Sequence, residues 1–263
     1  MRLHQKEAYG LLMQSAAESI IKLAADPRYV GGRVGVMAVL HTWGSNLSYH
    51  PHVHCLVTGG GLSPDGETWM EARDNYLVPV RALSRLFRYI FLDRLRRQFK
   101  EIYLPQSLWR KDWVVHCKPA VQGTRKVLNY LGRYIHRVAI TNSRILSIDN
   151  GKVTFRYKDS KSGAYIKTMT VDAEEFIRRF LQHVLPTGIH KVRYYGLWSP
   201  SNRKKLRKMQ HILNQSGNDQ PERLEEDMDA EVSPPSEPRL CPHCQKGTLV
   251  CIGRLTRRGR APP

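Results

Sequence analysis

Apolar residues recur along the chain with two different periods, which divides it into predicted helices and strands. Helical spacing comes first, over residues 5–25, where Leu12, Ala16 and Ile20 share one side and Pro27 follows the end. Runs rich in β-branched residues at 34–42 and 52–58 then predict two strands. The polar turn between these runs predicts that they pair as antiparallel neighbours.

The rest of the chain continues this alternation of elements. Glycines at 59–61 and the Pro64-Asp65-Gly66 turn predict a loop. The next predicted elements are an arginine-rich helix over 79–100, a strand over 113–118 and a helix over 125–138 that Gly123-Thr124 would cap. Two strands joined at Asp149-Asn150-Gly151 and a third strand over 165–171 come after them. The last elements are a helix over 173–184 and a basic helix over 202–213. The Asn-Gly pair is a strong hairpin signal, so the region 143–171 is predicted to be a β-meander.

Charge sets this sequence apart from an ordinary globular protein. Its 263 residues are enough for one main domain with appendages, and 42 Lys and Arg against 23 Asp and Glu give a net charge of +19. Such a charge favours a polyanionic partner, of which nucleic acid is the commonest, over the alternative of a basic protein with no particular partner.

Other classes of protein are disfavoured by what the sequence lacks. No run of about 18 apolar residues is present to cross a membrane, and positions 1–6 show no signal-peptide core. Five scattered cysteines, an odd number, argue against a disulfide scaffold and indicate a reducing compartment.

A histidine pair is the first candidate for chemistry. His52 and His54 are two apart on a predicted strand, so both imidazoles project from one face of the sheet while Val53 points to the other. Neutral imidazoles that converge on one point can bind a metal ion. With an otherwise oxygen-rich sphere, the pair favours Mg²⁺ or Mn²⁺ bridging to phosphate oxygens.

A complete metal site needs at least one more ligand. His41 on the neighbouring predicted strand, His50 and Asn46 are three alternatives that the sequence leaves open. Pro51 is expected to end extended pairing just before the histidine pair.

A tyrosine pair is the second candidate. Tyr130 and Tyr134 are four apart on a predicted helix, which places both phenols on one face. Aromatic residues at this spacing are more often part of a core, but Lys126, Arg133 and Arg137 on the same helix suit a phosphate-binding face. A phenol activated in such surroundings can attack a phosphodiester.

A His-hydrophobic-His strand followed by a Tyr-x3-Tyr helix resembles the two-tyrosine HUH transposases, the rolling-circle type of some bacterial insertion sequences, related to Helitrons. The words Leu-His-Thr-Trp-Gly at 40–44 and Tyr-Leu-Gly-Arg-Tyr-Ile-His-Arg-Val-Ala at 130–139 fit as well. The resemblance covers about residues 30–200.

This resemblance implies a fold and a domain arrangement. The fold would be α+β, with a central antiparallel sheet that carries the histidines, flanked by helices, and with the tyrosine helix packed beneath them. It implies an N-terminal helix over 1–30 and a catalytic domain over 31–213. A disordered acidic linker over 214–239 and a Cys- and Arg-rich tail over 240–263 are predicted to follow.

It also implies an activity. His52 and His54 would bind the divalent ion, and Tyr130 and Tyr134 would form 5′-phosphotyrosine links while a 3′-hydroxyl is released to prime a host polymerase. The partners would be single-stranded DNA at element ends and target, and the host replication machinery, in a bacterial cytoplasm near the nucleoid. Relatives carry a Cys-rich zinc-binding region ahead of the catalytic domain, but residues 1–30 contain no cysteine, which predicts a truncated or shorter variant.

Three other functions compete with this one. A relaxase or replication initiator would use the same chemistry without inserting DNA. A non-catalytic nucleic-acid-binding protein would use the tyrosines to stack on bases. A hydrolytic metallonuclease is weaker, because water as the nucleophile would leave the tyrosine pair without a role.

The tail contains a second group of candidate metal ligands. Cys241, His243, Cys244 and Cys251 resemble half of a zinc ribbon, but only three are thiols and His243 lies inside the turn. The alternatives are a Zn²⁺ site and free thiols in a flexible tail. Arginines further along, at 254, 257, 258 and 260, would add non-specific affinity for phosphate.

Overall fold

The structure is a computed structural model that describes residues 4–120, 123–135, 138–159 and 165–215, with the backbone alone at positions 124, 130, 133 and 215. The chain divides into two units, 1–218 and 219–263, and every described residue belongs to the first. The predicted linker beyond residue 215, the tail cysteines and Arg137 lie outside the described residues.

Six helices and seven strands make up the described part of the chain. In chain order they are α1 (Gln5–Ala24), β1 (Arg33–Trp43), β2 (Tyr49–Leu62), β3 (Trp69–Glu71), α2 (Val80–Gln98), α3 (Gln106–Arg110), α4 (Thr124–Ile135), β4 (Ile145–Asp149), β5 (Lys152–Asp159), β6 (Tyr165–Asp172), α5 (Ala173–Leu181), β7 (Val192–Gly196) and α6 (Arg203–Gln215). Short 3₁₀ turns precede β4 and α6, at Asn142–Arg144 and Pro200–Asn202.

The larger sheet is antiparallel and has the strand order β3-β2-β1-β7. Side chains of β1 and β2 alternate between its two faces, because successive residues of a strand point to opposite sides. One face carries Ala38, Leu40 and Val53 and packs on α1 and α2. The other carries the histidines and lies against α4. This confirms the predicted α+β fold, an antiparallel sheet flanked by helices.

Helices α1 and α2 cover the apolar face because their own apolar stripes meet there. The buried side chains of this core are Ala8, Tyr9, Leu12, Met13, Ala38, Leu40, Phe91, Leu92 and Leu95. Arg94 of α2 forms an ion pair with Glu18 of α1 beside this core. The two predicted helices therefore form one layer.

The smaller sheet has the order β4-β5-β6, the meander that the sequence predicts near 143–171. Its hairpin turn is Asn150-Gly151, with φ of 47° and 72° between the paired residues Asp149 and Lys152. Two positive φ values define the turn type that an Asn-Gly pair favours. Helix α5 packs on this sheet through Phe176, against the buried Phe155.

Strand β2 is longer than the sequence predicts at both ends. The glycines at 59–61, predicted as a loop, belong to the strand: a Cβ on Gly60 would lie 2.5 Å from the Met70 carbonyl oxygen, and one on Gly61 would lie 2.7 Å from the Gly32 carbonyl carbon. Gly60 and Gly61 therefore lie where neighbouring strands approach closely and only glycine fits. The strand also runs through Pro51, next to an irregularity of pairing between His41 and Trp43 that suits a residue without an N–H.

The segment 113–118, predicted as a strand, forms no strand. The Trp113 carbonyl oxygen accepts a hydrogen bond from the Ser84 hydroxyl at 2.6 Å, and the Trp113 ring packs against Phe87 and Phe91 of α2. Trp113 is thus partly buried against a helix while Val114 is exposed, so the strand prediction is wrong: the segment packs on α2 through Trp113 instead of pairing with a strand.

Candidate functional site

Three imidazoles come together on one face of the larger sheet. His41 of β1 is the direct cross-strand partner of His52 of β2, and Val39 is the partner of His54, so all three histidines share a face. The ring centroids are 5.5 Å apart for His41 and His52, 4.5 Å for His41 and His54, and 4.9 Å for His52 and His54. One ligand nitrogen from each lies within 4.8 Å of the other two. This group could hold a metal ion.

Backbone carbonyls orient two of the three rings. Nδ1 of His52 is 2.8 Å from the His50 carbonyl oxygen, and Nε2 of His41 is 2.8 Å from the Tyr134 carbonyl oxygen. A carbonyl oxygen can only accept, so each of these ring nitrogens donates its N–H. In the neutral ring the lone pair then falls on Nε2 of His52 and Nδ1 of His41, the arrangement in which metal-binding histidines are commonly held.

The structure separates the three alternatives for a third ligand. His41 is almost fully buried, 1% exposed, and joins the pair. The side chain of His50 is exposed, and this residue contributes its carbonyl to the orientation of His52. The Asn46 side chain accepts the Ser48 N–H at 3.1 Å and so closes the turn between β1 and β2.

The donor set fits a divalent cation with open coordination positions. Within the described ranges, the one group of three or more His, Cys, Asp or Glu side chains close enough for a metal consists of His41, His52 and His54. Three neutral nitrogen donors leave positions for substrate oxygens, as catalytic sites require. Imidazole is a softer ligand than carboxylate, which shifts the preference from Mg²⁺ toward Mn²⁺ and later transition metals.

Tyr134 of α4 lies against this histidine group. Its partly exposed ring is centred 4.3 Å from the His54 ring and 6.1 Å from the His41 ring. Tyr130 occupies the same helix one turn earlier, but its side chain, like that of Arg133, lies outside the described residues. Lys126 is exposed on α4. Of the predicted site residues, His52, His54 and Tyr134 thus lie close together in the structure.

Two side chains hold the end of the tyrosine helix, and one of them, Lys191, is not singled out by the sequence. Lys191 donates from Nζ to the Ile135 carbonyl oxygen at 3.1 Å, next to the Tyr134 carbonyl that His41 holds. The last carbonyls of a helix have no partner within the helix, so these two contacts fix its final turn. Burial lowers the pKa of the Lys191 ammonium.

Trp43 connects Lys191 with the histidines. The Lys191 ammonium lies 5.2 Å from the centre of the Trp43 ring, and this ring stacks on His41 at 4.7 Å with an interplanar angle of 17°. Trp43 belongs to the motif at 40–44 and could have been noticed there. Lys191 had no such signal, because it precedes β7, a strand that the sequence did not predict.

A buried histidine supports the turn behind the site. His183, 8% exposed, has Nδ1 at 3.3 Å from the Thr42 hydroxyl and Nε2 at 3.2 Å from the Leu47 carbonyl oxygen. Burial lowers the pKa of this ring, although the Leu47 carbonyl acts in the opposite direction. Burial behind Thr42 therefore favours the neutral form of His183.

Comparison with known proteins places the chain in a family. Residues 35–206 match the model of the Y2_Tnp family, described as "Putative transposase". The match covers more than half of the chain and includes the histidines, the tyrosines and Lys191. The chain belongs to this family of transposases, which confirms the resemblance seen in its motifs.

Two relatives carry transposase names. "Putative transposase y4qJ" of Sinorhizobium fredii (strain NBRC 101917 / NGR234) is 43% identical over 269 residues, which covers 93% of this chain and 67% of the relative. "Transposase for insertion sequence element IS801" of Pseudomonas savastanoi pv. phaseolicola is 31% identical over 202 residues, covering 68% of this chain and 48% of the relative. No solved structure gives a significant match. The helices within the described ranges lack the combination of length and apolar character needed to cross a bilayer.

Proposed function

We propose that this transposase nicks and transfers single-stranded DNA through a 5′-phosphotyrosine intermediate. The observation that carries the proposal is the position of Tyr134, whose ring lies 4.3 Å from that of His54 within a group of three histidines able to hold a metal. A nucleophile and a cation site side by side are what attack on a phosphodiester requires.

His41, His52 and His54 would hold the divalent ion. A bound Mn²⁺ or Mg²⁺ would polarise the scissile phosphate and offset the negative charge that builds up during transfer. The hydrogen bonds from His52 to the His50 carbonyl and from His41 to the Tyr134 carbonyl keep these rings in the orientation that ligation needs.

Tyr134 would act as a nucleophile. Its phenol oxygen forms a bond to the phosphorus of a DNA phosphodiester, the bond from phosphorus to the 3′-oxygen breaks, and the proton lost from the phenol is balanced by one gained by the departing 3′-hydroxyl. The products are a tyrosine linked to the 5′-phosphate and a strand with a free 3′-hydroxyl. The phosphotyrosine link keeps the energy of the cleaved bond, so a 3′-hydroxyl can later reverse the step without ATP.

Tyr130, one turn earlier on α4, would supply the second nucleophile, so that one covalent link can be resolved while the next strand is cut. Lys126, Arg133 and Arg137 would hold phosphates along the same helix. The released 3′-hydroxyl would be a primer for a host polymerase. In this proposal the positive charge of the chain serves the binding of its DNA substrate.

Trapping the covalent adduct tests the proposal. The protein is incubated with Mn²⁺ and labelled single-stranded oligonucleotides that carry the ends of its element, and the mixture is run on a denaturing gel. We expect the wild-type protein to retain the label. Tyr130→Phe and Tyr134→Phe should each lower the yield, and the double variant should form no adduct, because Phe removes only the attacking oxygen. Tyr165→Phe, on the exposed part of β6, is the matched control.

The same gel separates the competing functions. A non-catalytic DNA-binding protein would give no adduct with any substrate, and the double variant would bind DNA like the wild type, because Phe still stacks on bases. A hydrolytic nuclease would release cleaved strands without a covalent link and would be insensitive to both Tyr→Phe changes. Either pattern contradicts the proposal.

A further inference from the structure

A depression of about 490 Å³ lies outside α2, on the side of that helix remote from the sheet. It is lined by Tyr89 and Arg96 of α2, Ile102 and Tyr103 of the following segment, and Trp109 of α3. Helix α2 packs on the apolar face of the sheet, whereas the histidines occupy the opposite face. This depression is therefore separate from the histidine and tyrosine site.

The two tyrosine rings of the depression face solvent, and Trp109 is partly buried. Tyr103 is 83% exposed and Tyr89 is 59% exposed. Trp109 lies edge-on to Tyr89 with 6.3 Å between ring centres, and the Arg96 guanidinium is 5.9 Å from the centre of the Trp109 ring. Exposed aromatic rings beside an arginine are the groups on which the bases of single-stranded nucleic acids stack.

Arginines continue from this depression along α2. Arg81, Arg85 and Tyr89 recur every four residues, so they follow one side of the helix in steps of about 6 Å. Of the acidic residues, only Asp93 lies within α2, and it pairs with Arg96 and Arg97. Arg81 and Arg85 are exposed and form no ion pair with a residue in the described ranges. Their charge remains available to an external anion.

We propose that this α2 surface, made of Arg81, Arg85, Tyr89, Arg96, Tyr103 and Trp109, binds single-stranded nucleic acid. Bases would stack on Tyr89 and Tyr103, and phosphates would lie along Arg81 and Arg85. Protein surfaces on which a row of cationic side chains lies next to aromatic rings bind single-stranded nucleic acids with little sequence preference. A polyanionic partner is favoured, because the surface is cationic in a chain of net charge +19. The surface would hold a stretch of strand away from the bond being cut.

Binding measurements with the full chain test this proposal without the chemistry of the tyrosines. Fluorescein-labelled oligothymidylate is titrated with protein in EDTA, and anisotropy is followed. We expect the double variant Tyr89→Ala/Tyr103→Ala to bind at least about thirtyfold more weakly than the wild type, because it loses two stacking rings. Tyr165→Ala should bind normally, since Tyr165 is a 70% exposed tyrosine on β6. Both rings are exposed, so the double variant should keep the wild-type melting temperature.

Two further readouts locate the bound strand. Arg81→Gln/Arg85→Gln should reduce the slope of log affinity against log salt by about 1.4, the value for two phosphate contacts on a single strand. Photocrosslinking with 5-iodouracil oligonucleotides should yield peptides that contain Tyr89, Tyr103 or Trp109. Equal affinity of wild type and double tyrosine variant overturns the proposal, as does crosslinking confined to α4. Neither of these two results would change adduct formation by the wild-type protein. Failure of the proposed α2 surface is therefore distinguishable from failure of the proposed chemistry.

Discussion

The two faces of the β1–β2 pair carry different kinds of residue, although the residues of one face are only one position along the strand from those of the other. Leu40 and Val53 pair across the strands and enter the core under α1 and α2, while their neighbours His41 and His52 pair across the strands one position on and face α4. The apolar face stabilises the fold, and this allows the polar face to keep three imidazoles close together. Activity and stability should therefore depend on different faces of the same two strands.

Removal of two imidazoles is expected to have the largest effect. His52→Ala/His54→Ala should lower the rate of adduct formation at least about a thousandfold, because the proposed metal ion, which would offset charge in the transition state, would no longer bind. Both side chains are partly exposed, so the free energy of unfolding should change by less than about 1 kcal/mol. Single-turnover kinetics and urea denaturation measure the two quantities. A large loss of stability in this variant would contradict the separation of the two faces.

Truncation on the apolar face should show the opposite pattern. Leu40→Ala is expected to lower the free energy of unfolding by about 2 to 5 kcal/mol, because it leaves a cavity under α1 and α2. Well below its melting temperature, this variant should form the adduct within a few-fold of the wild-type rate. If adduct formation fell as far as in the double histidine variant, the two faces would not be independent.

Substitution of Lys191 tests whether anchoring the end of α4 matters for activity on the histidine face. Lys191→Met should slow adduct formation by Tyr134 about tenfold, because the Ile135 carbonyl loses its donor and the last turn of α4 loosens. The effect is measured in a Tyr130→Phe background, where Tyr134 is the only nucleophile of the pair. In a Tyr134→Phe background, attack by Tyr130, one turn further from Lys191, should change less. An equal loss in both backgrounds would point to a general structural role, and Lys191→Arg should restore most of the rate.

The smallest expected effect concerns pH and His183. Burial lowers its pKa, so between the unfolded value near 6.5 and the lower folded value the unfolded chain binds more protons. This contribution to stability is fully present above about pH 6.5 and is lost as the pH falls below it. Urea denaturation at pH 5 and pH 8 should show a smaller difference for His183→Gln than for the wild type. Identical differences would show that His183 does not titrate on unfolding.

The sequence predicted the parts of the site that depend on local geometry. His52 and His54 share a face because alternate residues of any strand do so, and this requires no knowledge of the neighbouring strand. The third histidine depends on register: His41 opposes His52 only because the pairing irregularity falls between His41 and Trp43. Nothing in the local pattern around His41, His50 or Asn46 determines that register.

The errors have a common physical cause, which is contact between distant segments. Gly60 and Gly61 look like part of a loop until the backbones of β1 and β3 approach them. The apolar run at 113–118 looks like a strand until Trp113 packs on α2. Lys191 and β7 acquire their roles from β1 and α4, far away in the sequence. Helix and hairpin positions were recoverable because their signals are local, as at Asn150-Gly151.

The position of β1 between β2 and β7 has a consequence for protein synthesis. A growing chain can form the β1–β2 hairpin and its histidines early, but Tyr134 and β7 follow only after many more residues. At translation rates of about 5–20 residues per second, the delay between β2 and β7 is on the order of ten seconds. During that time β1 has an unpaired edge of the kind that can pair with other chains. Under the proposed chemistry, the site would be complete only after α4 and Lys191 have been synthesised.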